Sequence, residues 1–207
     1  MLLSDGQIAK LCADDPPLIT PFAFEQVREI DRGGVAGPGR KVRAISYGLS
    51  SYGYDFTLAA TNFKIFRHEL DHTIVDPKNF DKRLLSDGAL RSDDTGDYFI
   101  IPGNSYGLGE TMEWVNMPRG LAAIGLGKST YARCGLIVNV TPLEPEWRGR
   151  ITLEIANACS TPMKVYAHEG ICQFMFVRGE HLPQVSYSDR RGKYQDQQGA
   201  TLAQVRA

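Results

Sequence analysis

The sequence predicts a mainly β protein, and three observations predict it. Short apolar or alternating runs recur about every 8–12 residues. Gly or Pro interrupts nearly every gap between them, and helical periodicity is confined to the first residues. The expected form is an all-β sandwich or barrel with little helix beyond the N-terminus. At 207 residues the chain is expected to make a single domain, with residues 186–207 as a C-terminal segment of different texture.

The helix comes first. Residues 3–13 carry Ile8, Leu11 and Cys12 on one face, with Ser4 as N-cap, and Pro16, Pro17 and Pro21 block its extension. Asp31 to Arg43 is glycine-rich and charged, which predicts a mobile loop. Strands are expected at 54–58, 62–66, 98–101, 106–108 and 121–124, then at 136–140, 151–155, 163–166 and 172–177. From Ser186 to Ala207 the chain is polar and Gln-rich, and composition alone predicts a frayed tail.

Composition narrows the function. The formal net charge is −1, so no global basic field invites duplex nucleic acid or an anionic membrane, and neither DNA, RNA nor membrane is an expected partner. The start, MLLSDGQIAKL, lacks the apolar run of a signal peptide, and no 18-residue apolar stretch occurs, so a cytoplasmic protein is expected. Cys12, Cys134, Cys159 and Cys172 are widely spaced with no CxxC pair, as reduced core thiols would be.

Some motif-like strings lead away from metal and mononucleotide-loop chemistry. His68-Glu69-Leu70-Asp71-His72 fits H-E-x-x-H, but extended runs flank it and leave room for about one helical turn, so a solvated hairpin loop is expected there. Gly127-Lys128-Ser129-Thr130 is like the end of a Walker A loop, yet Ala122 stands where that loop needs its first glycine. The H-x-E and P-C-x-x-C halves of zinc nucleobase deaminases are both missing.

Two neighbouring segments are chemically rich. In Gly127 to Gly135, Ser129 can cap a short helical turn that puts Arg133 four residues on, on the same side, which suits a phosphate or oxyanion. Alone, the segment reads first as an ordinary capped turn with a surface arginine. In Ile151-Thr152-Leu153-Glu154-Ile155, strand alternation separates Thr152 and Glu154 from the three aliphatic residues. Alone, Glu154 reads as a carboxylate on the wet side of a sheet; on a cleft wall it becomes a candidate proton shuttle.

These segments carry a resemblance. Ile45-Ser46-Tyr47-Gly48-Leu49-Ser50-Ser51-Tyr52-Gly53-Tyr54-Asp55, Val75 to Phe80, Gly127 to Gly135, Val138 to Trp147 and Thr152-Leu153-Glu154 resemble the dCTP deaminases. Val185-Ser186-Tyr187 and Gly192 to Gly199 continue the likeness in order, from Met1 to about Thr201. The departures are the segments Asp31 to Arg43 and Leu84 to Asp97, both longer than typical.

The resemblance implies a dUTPase-like distorted β-barrel or jelly-roll with a short N-terminal helix and few other helical turns, and a homotrimer with active sites between subunits. It implies zinc-independent deamination of dCTP to dUTP and ammonia, within dUMP and dTTP synthesis, with dTTP as a candidate inhibitor. Glu154, Ser129 and Arg133 would be catalytic. Lys128, Ser129, Thr130, Tyr131, Ala132, Arg133, Thr152, Leu153, Glu154, Gln173, Tyr187, Lys193 and Gln197 would meet the substrate. Thr141 and Pro142 would shape the base pocket, with Glu144 near the sugar, and the C-terminal segment would act as a lid. Mg²⁺ would arrive with the triphosphate, outside any protein metal site. A bifunctional dCTP deaminase/dUTPase, or a dUTPase releasing pyrophosphate, is the main alternative. Its members typically carry an aspartate step where this chain has Pro142-Leu143-Glu144-Pro145. A nucleotide-binding regulator or structural trimer module would be expected to lack part of the Ser129–Arg133–Glu154 set.

Overall fold

The computed structural model describes residues 1–31, 41–67 and 74–204. Helix α1 (Asp5–Cys12) follows Ser4, whose N–H donates to Gln7 Oε1 at 3.0 Å, and it buries Ile8 completely. The strands are β1 (Ile19–Thr20), β2 (Val27–Asp31), β3 (Lys41–Ser50), β4 (Gly53–Thr57), β5 (Lys64–Phe66), β6 (Leu85–Asp87) and β7 (Arg91–Asp93). They continue with β8 (Gly96–Ile101), β9 (Tyr106–Asn116), β10 (Leu121–Gly127), β11 (Leu136–Asn139), β12 (Arg148–Asn157), β13 (Met163–Tyr166) and β14 (Gly170–Arg178). A single helical turn, α2 (Ser129–Ala132), separates β10 from β11.

The mainly β expectation holds. One antiparallel sheet runs β11-β12-β9-β5-β6, with β1 also on β9; a second runs β10-β14-β4-β3-β2; a small third runs β13-β8-β7. The two large sheets share one core, to which Phe56 and Phe174 come from one and Leu153 and Ile155 from the other. Among the described residues the sheets do not close into the expected barrel. Isolated bridges stand where a ladder would be: Leu58, just past β4, with Thr111 of β9, and Ala123 of β10 with Leu143 in the loop before β12. No described helix is long and apolar enough to cross a membrane.

All nine expected runs become strands, but β9 is far longer than its Tyr106–Leu108 core. Gly107, Gly109, Glu110 and Glu113 break its apolar pattern. A Cβ at Gly109 would lie 2.8 Å from Leu58 Cδ1 and 3.2 Å from the Phe63 ring, so close packing, not a turn, requires glycine there. The expected loop Asp31–Arg43 is corrected at its ends: Asp31 pairs with Lys41 and Glu29 with Arg43 across β2 and β3. Its centre, 32–40, lies outside the described residues, as does the string His68 to His72. The long segment Leu84 to Asp97 likewise holds β6 and β7, short charged strands whose polarity hid them.

β9 is irregular opposite β12. Between the pairs Arg150–Trp114 and Thr152–Glu110, β9 carries extra residues, and they turn inward. Thr111 Oγ1 accepts the Ile151 N–H at 3.0 Å and donates to the Glu113 carbonyl at 2.9 Å. The Glu113 carboxylate, 2% exposed, accepts the Thr57 N–H at 3.1 Å and its hydroxyl at 2.9 Å. Burial pushes this carboxyl up to about 7.

Candidate active site

Alternation along β12 separates its two faces as expected. Ile151, Leu153 and Ile155 are in the core, and Thr152 and Glu154 point away from it. Register then decides the neighbours of Glu154, which pairs with Asn139 of β11 and Leu108 of β9. The Asn139 side-chain amide donates to Glu154 Oε2. Tyr106 stands two residues along the same face of β9, and its phenol is pushed up to about 12, by burial first and by the Glu154 charge second. Phe66 packs edge-on against both Tyr106, at 5.2 Å between centroids, and Phe80, at 5.9 Å.

This face forms one wall of a cavity of about 870 Å³, within the usual size of a small-molecule site. Thr141, Pro142 and Glu144 line it from the loop before β12. The opposite wall is the C-terminal segment, through Tyr187, Lys193 and Gln197 with Arg190, Tyr194 and Thr201. That segment is no frayed tail. Gly199 N–H donates to Glu110 Oε2 at 2.6 Å, Gln197 Nε2 to the Arg150 carbonyl at 2.8 Å, and the Trp147 indole to the Tyr194 carbonyl at 3.0 Å. Three arginine–carboxylate pairs tether it from outside: Arg119 with Asp189 at 2.8 Å, Arg190 with Glu144, and Arg148 with Asp196. The Lys193 amine, expected at the phosphates, donates here to the Gln204 carbonyl.

The other half of the expected site lies elsewhere. Lys128, Ser129, Thr130, Ala132, Arg133 and Gln173 do not line the Glu154 cavity. Lys128, not Ser129, is the N-cap of α2, and Ser129 is the first helical residue. Ser129 and Arg133 still share one turn, since the Arg133 N–H donates to the Ser129 carbonyl at 3.0 Å. Both are exposed, and Arg133 has no ion-pair partner among the described residues. Lys128 reaches Asp55 instead, with Nζ 2.8 Å from a carboxylate that also accepts Gln26 Nε2 at 2.8 Å. Gln173 pairs with Asp55 in register and donates to the Ser50 hydroxyl at 3.1 Å.

Two expected contact residues have structural side chains. Tyr131 is buried, and its hydroxyl accepts the Tyr166 N–H at 2.8 Å. Leu153 is wholly buried on the core face of β12. Conversely, Asn139, which holds Glu154, and Tyr106, together with Phe66 and Arg190 of the cavity lining, were missed. Strand pairing carried the signal for the first two, because same-face neighbours of Glu154 follow once β9, β11 and β12 are paired.

Known proteins share this chain's sequence at length. A profile of dCTP deaminase-like proteins matches residues 2–179. The chain belongs to the dCTP deaminase-like family. The dCTP deaminase of Rickettsia bellii (strain OSU 85-389) is 51% identical over 185 residues, covering 89% of each chain. That of Rhodospirillum centenum is 52% identical over 188 residues, 91% of each, and that of Paraburkholderia xenovorans 48% over 199 residues, 96% of each. Among the described residues of this dCTP deaminase-like chain, no group of three or more His, Cys, Asp or Glu is placed to hold a metal.

Proposed function

We propose that this chain deaminates dCTP to dUTP and ammonia, with Glu154 activating the attacking water and no zinc taking part. Family membership supports the reaction, and the observation that carries the mechanism is the carboxylate on the cavity wall with one oxygen held by Asn139. The other oxygen is left to take a proton from water. Hydroxide adds to C4 of the cytosine ring while Glu154 passes the water proton to N3. Glu154 then takes the proton of the new C4 hydroxyl and gives it to the amino group, the C4–N4 bond breaks, and ammonia leaves as the C4 carbonyl forms.

Ser129 and Arg133 complete this site from a second copy of the chain in a homotrimer. Their exposure and their separation from the cavity of their own chain support that reading, as do the exposed Ile124, Leu126 and Ile137 beside the turn. There the guanidinium favours ionised Glu154 before attack, and Ser129 holds the water. The triphosphate enters with Mg²⁺ as part of the substrate and meets Tyr187, Lys193 and Gln197. Lys193 must exchange its bond to Gln204 for phosphate, which makes the C-terminal segment a lid. dTTP, similar in outline to dCTP, competes as an inhibitor.

Incubation with dCTP and Mg²⁺, with ammonia and pyrophosphate assayed separately, tests the reaction. Ammonia without pyrophosphate is expected. Pyrophosphate in comparable amount would instead establish the bifunctional reading. Metal analysis of the active protein is expected to find no stoichiometric zinc.

A further inference from the structure

The cysteines offer chemistry that the deaminase reading does not use. Cys134 directly follows Arg133, and Cys159 follows β12 by two residues. The β11–β12 ladder pairs Leu136 with Asn157, and the Ala158 N–H donates to the Gly135 carbonyl at 3.0 Å. One step further along this pairing sets Cys134 against Cys159.

Contact at that step is direct. The Cys159 thiol donates to the Cys134 carbonyl at 3.3 Å, and a Cβ added to Gly135 would lie only 2.3 Å from Cys159 Sγ. Three bonds of about 1.2–1.5 Å each separate that carbonyl oxygen from the Cys134 Cβ. Gly135 itself has a φ of +87°, a conformation that glycine adopts freely and that lets the chain pivot between the two residues. Cys134 is exposed and Cys159 partly so, whereas Cys172 is buried.

We propose that Cys134 and Cys159 form a reversible intrachain disulfide under peroxide, and that this disulfide displaces the turn carrying Ser129 and Arg133. The Cys134 thiolate attacks one oxygen of hydrogen peroxide, the O–O bond breaks, and hydroxide leaves to become water, giving a sulfenic acid. The Cys159 sulfur then attacks that sulfur, the S–O bond breaks, and a second water leaves. Two thiols are oxidised and one peroxide is reduced to two waters. Bringing the two Cβ atoms to the roughly 3.5–4.5 Å that a disulfide needs draws Cys134 toward β12, and Arg133 moves with it. Such proximal pairs in otherwise reduced proteins are the redox-sensing kind.

The disulfide is independent of the proposed function; its effect on turnover rests on that reading. The whole protein is treated with stoichiometric hydrogen peroxide, its thiols are counted, and its peptides are mapped under non-reducing conditions. The expected result is loss of two thiols per chain and a peptide joining Cys134 to Cys159, both reversed by dithiothreitol. Cys134→Ser and Cys159→Ser each abolish the linkage, and Cys12→Ser does not. Four surviving thiols, a linkage between chains, or sulfinic acid at Cys134 without the joined peptide would each overturn the proposal. In the deamination assay, turnover falls about tenfold to a hundredfold on oxidation and returns with dithiothreitol, because a displacement near 1 Å suffices for such a loss. A disulfide that forms without changing turnover refutes the coupling to the turn alone, leaving the thiol pair in place.

Discussion

The strand face around Glu154 and the turn from Lys128 to Arg133 are built from similar polar residues, yet they have opposite degrees of completion. Around Glu154 three paired strands, a loop and the chain's own C-terminal segment converge on one cavity. At the turn, Ser129 and Arg133 stand exposed, and the nearby Lys128 is already matched with Asp55. Under the proposed function, one enclosed half and one outward-facing half are what a site completed by a symmetric partner would show. The difference teaches that nearness in sequence and nearness in space part company here, although only about twenty residues separate the two segments.

The largest effect should come from Glu154→Gln. Loss of a general acid–base group is expected to lower turnover by about a hundredfold to ten-thousandfold, with dCTP binding changed only a few-fold in calorimetry. Turnover within a factor of ten of wild type would make Glu154 no more than a strand residue.

Glu113 supplies the contrast on the core face of β9. Its folded pKa, about 7, lies above its ordinary 4.5, so the folded state binds the proton more tightly. Its contribution to stability is therefore greatest below pH 4.5 and is lost as pH rises through 7, by about 3 kcal/mol in all. Glu113→Gln should flatten that decline, gaining on wild type between pH 5 and 8 in denaturant midpoints while leaving the pH profile of turnover unchanged. Equal pH slopes in the two proteins would sink this account.

A smaller effect is expected at Glu110, which ties the C-terminal segment to the wall. Removing the Gly199 contact with Glu110→Ala should raise KM for dCTP about tenfold, more than it lowers kcat, since a buried hydrogen bond to a charge contributes about 1.5–3 kcal/mol. Melting curves would separate this from general loss of fold. The gentlest test mixes inactive chains. Refolding Arg133→Ala together with Glu154→Gln in equal amounts should restore about a quarter of wild-type turnover, the product of two one-half chances of an intact partner. A mixture as inactive as its parents would return Arg133 and Glu154 to one chain.

Most of the fold was legible because alternation and punctuation are local. The strand around Glu154 shows its two faces in five residues, and Ser4 announces α1. What stayed hidden depended on distant pairing. β9 was seen at three residues because its glycines fit against Leu58 and Phe63, contacts that no window of sequence displays. β2 and β3 were masked by charge at their paired ends. In the site, the placement of Glu154 on the outward face of its strand was legible, but its cavity depended on which strands flank β12, and hence Asn139 and Tyr106 were missed. The tail misled on composition because much of its order comes from hydrogen bonds to Glu110, Arg150 and Trp147 and from ion pairs, with Tyr187 packed against the core.

The three arginine–carboxylate pairs that hold the C-terminal segment have one more consequence. Arg119–Asp189, Arg190–Glu144 and Arg148–Asp196 are all substantially exposed to solvent. At 0.1 M ionic strength the screening length is about 10 Å, and it shrinks to about 3 Å at 1 M. Salt therefore loosens the cover of the cavity before it touches the core. Buffer strength becomes a dial on how readily the cavity opens, and kinetic comparisons between relatives hold only at matched ionic strength.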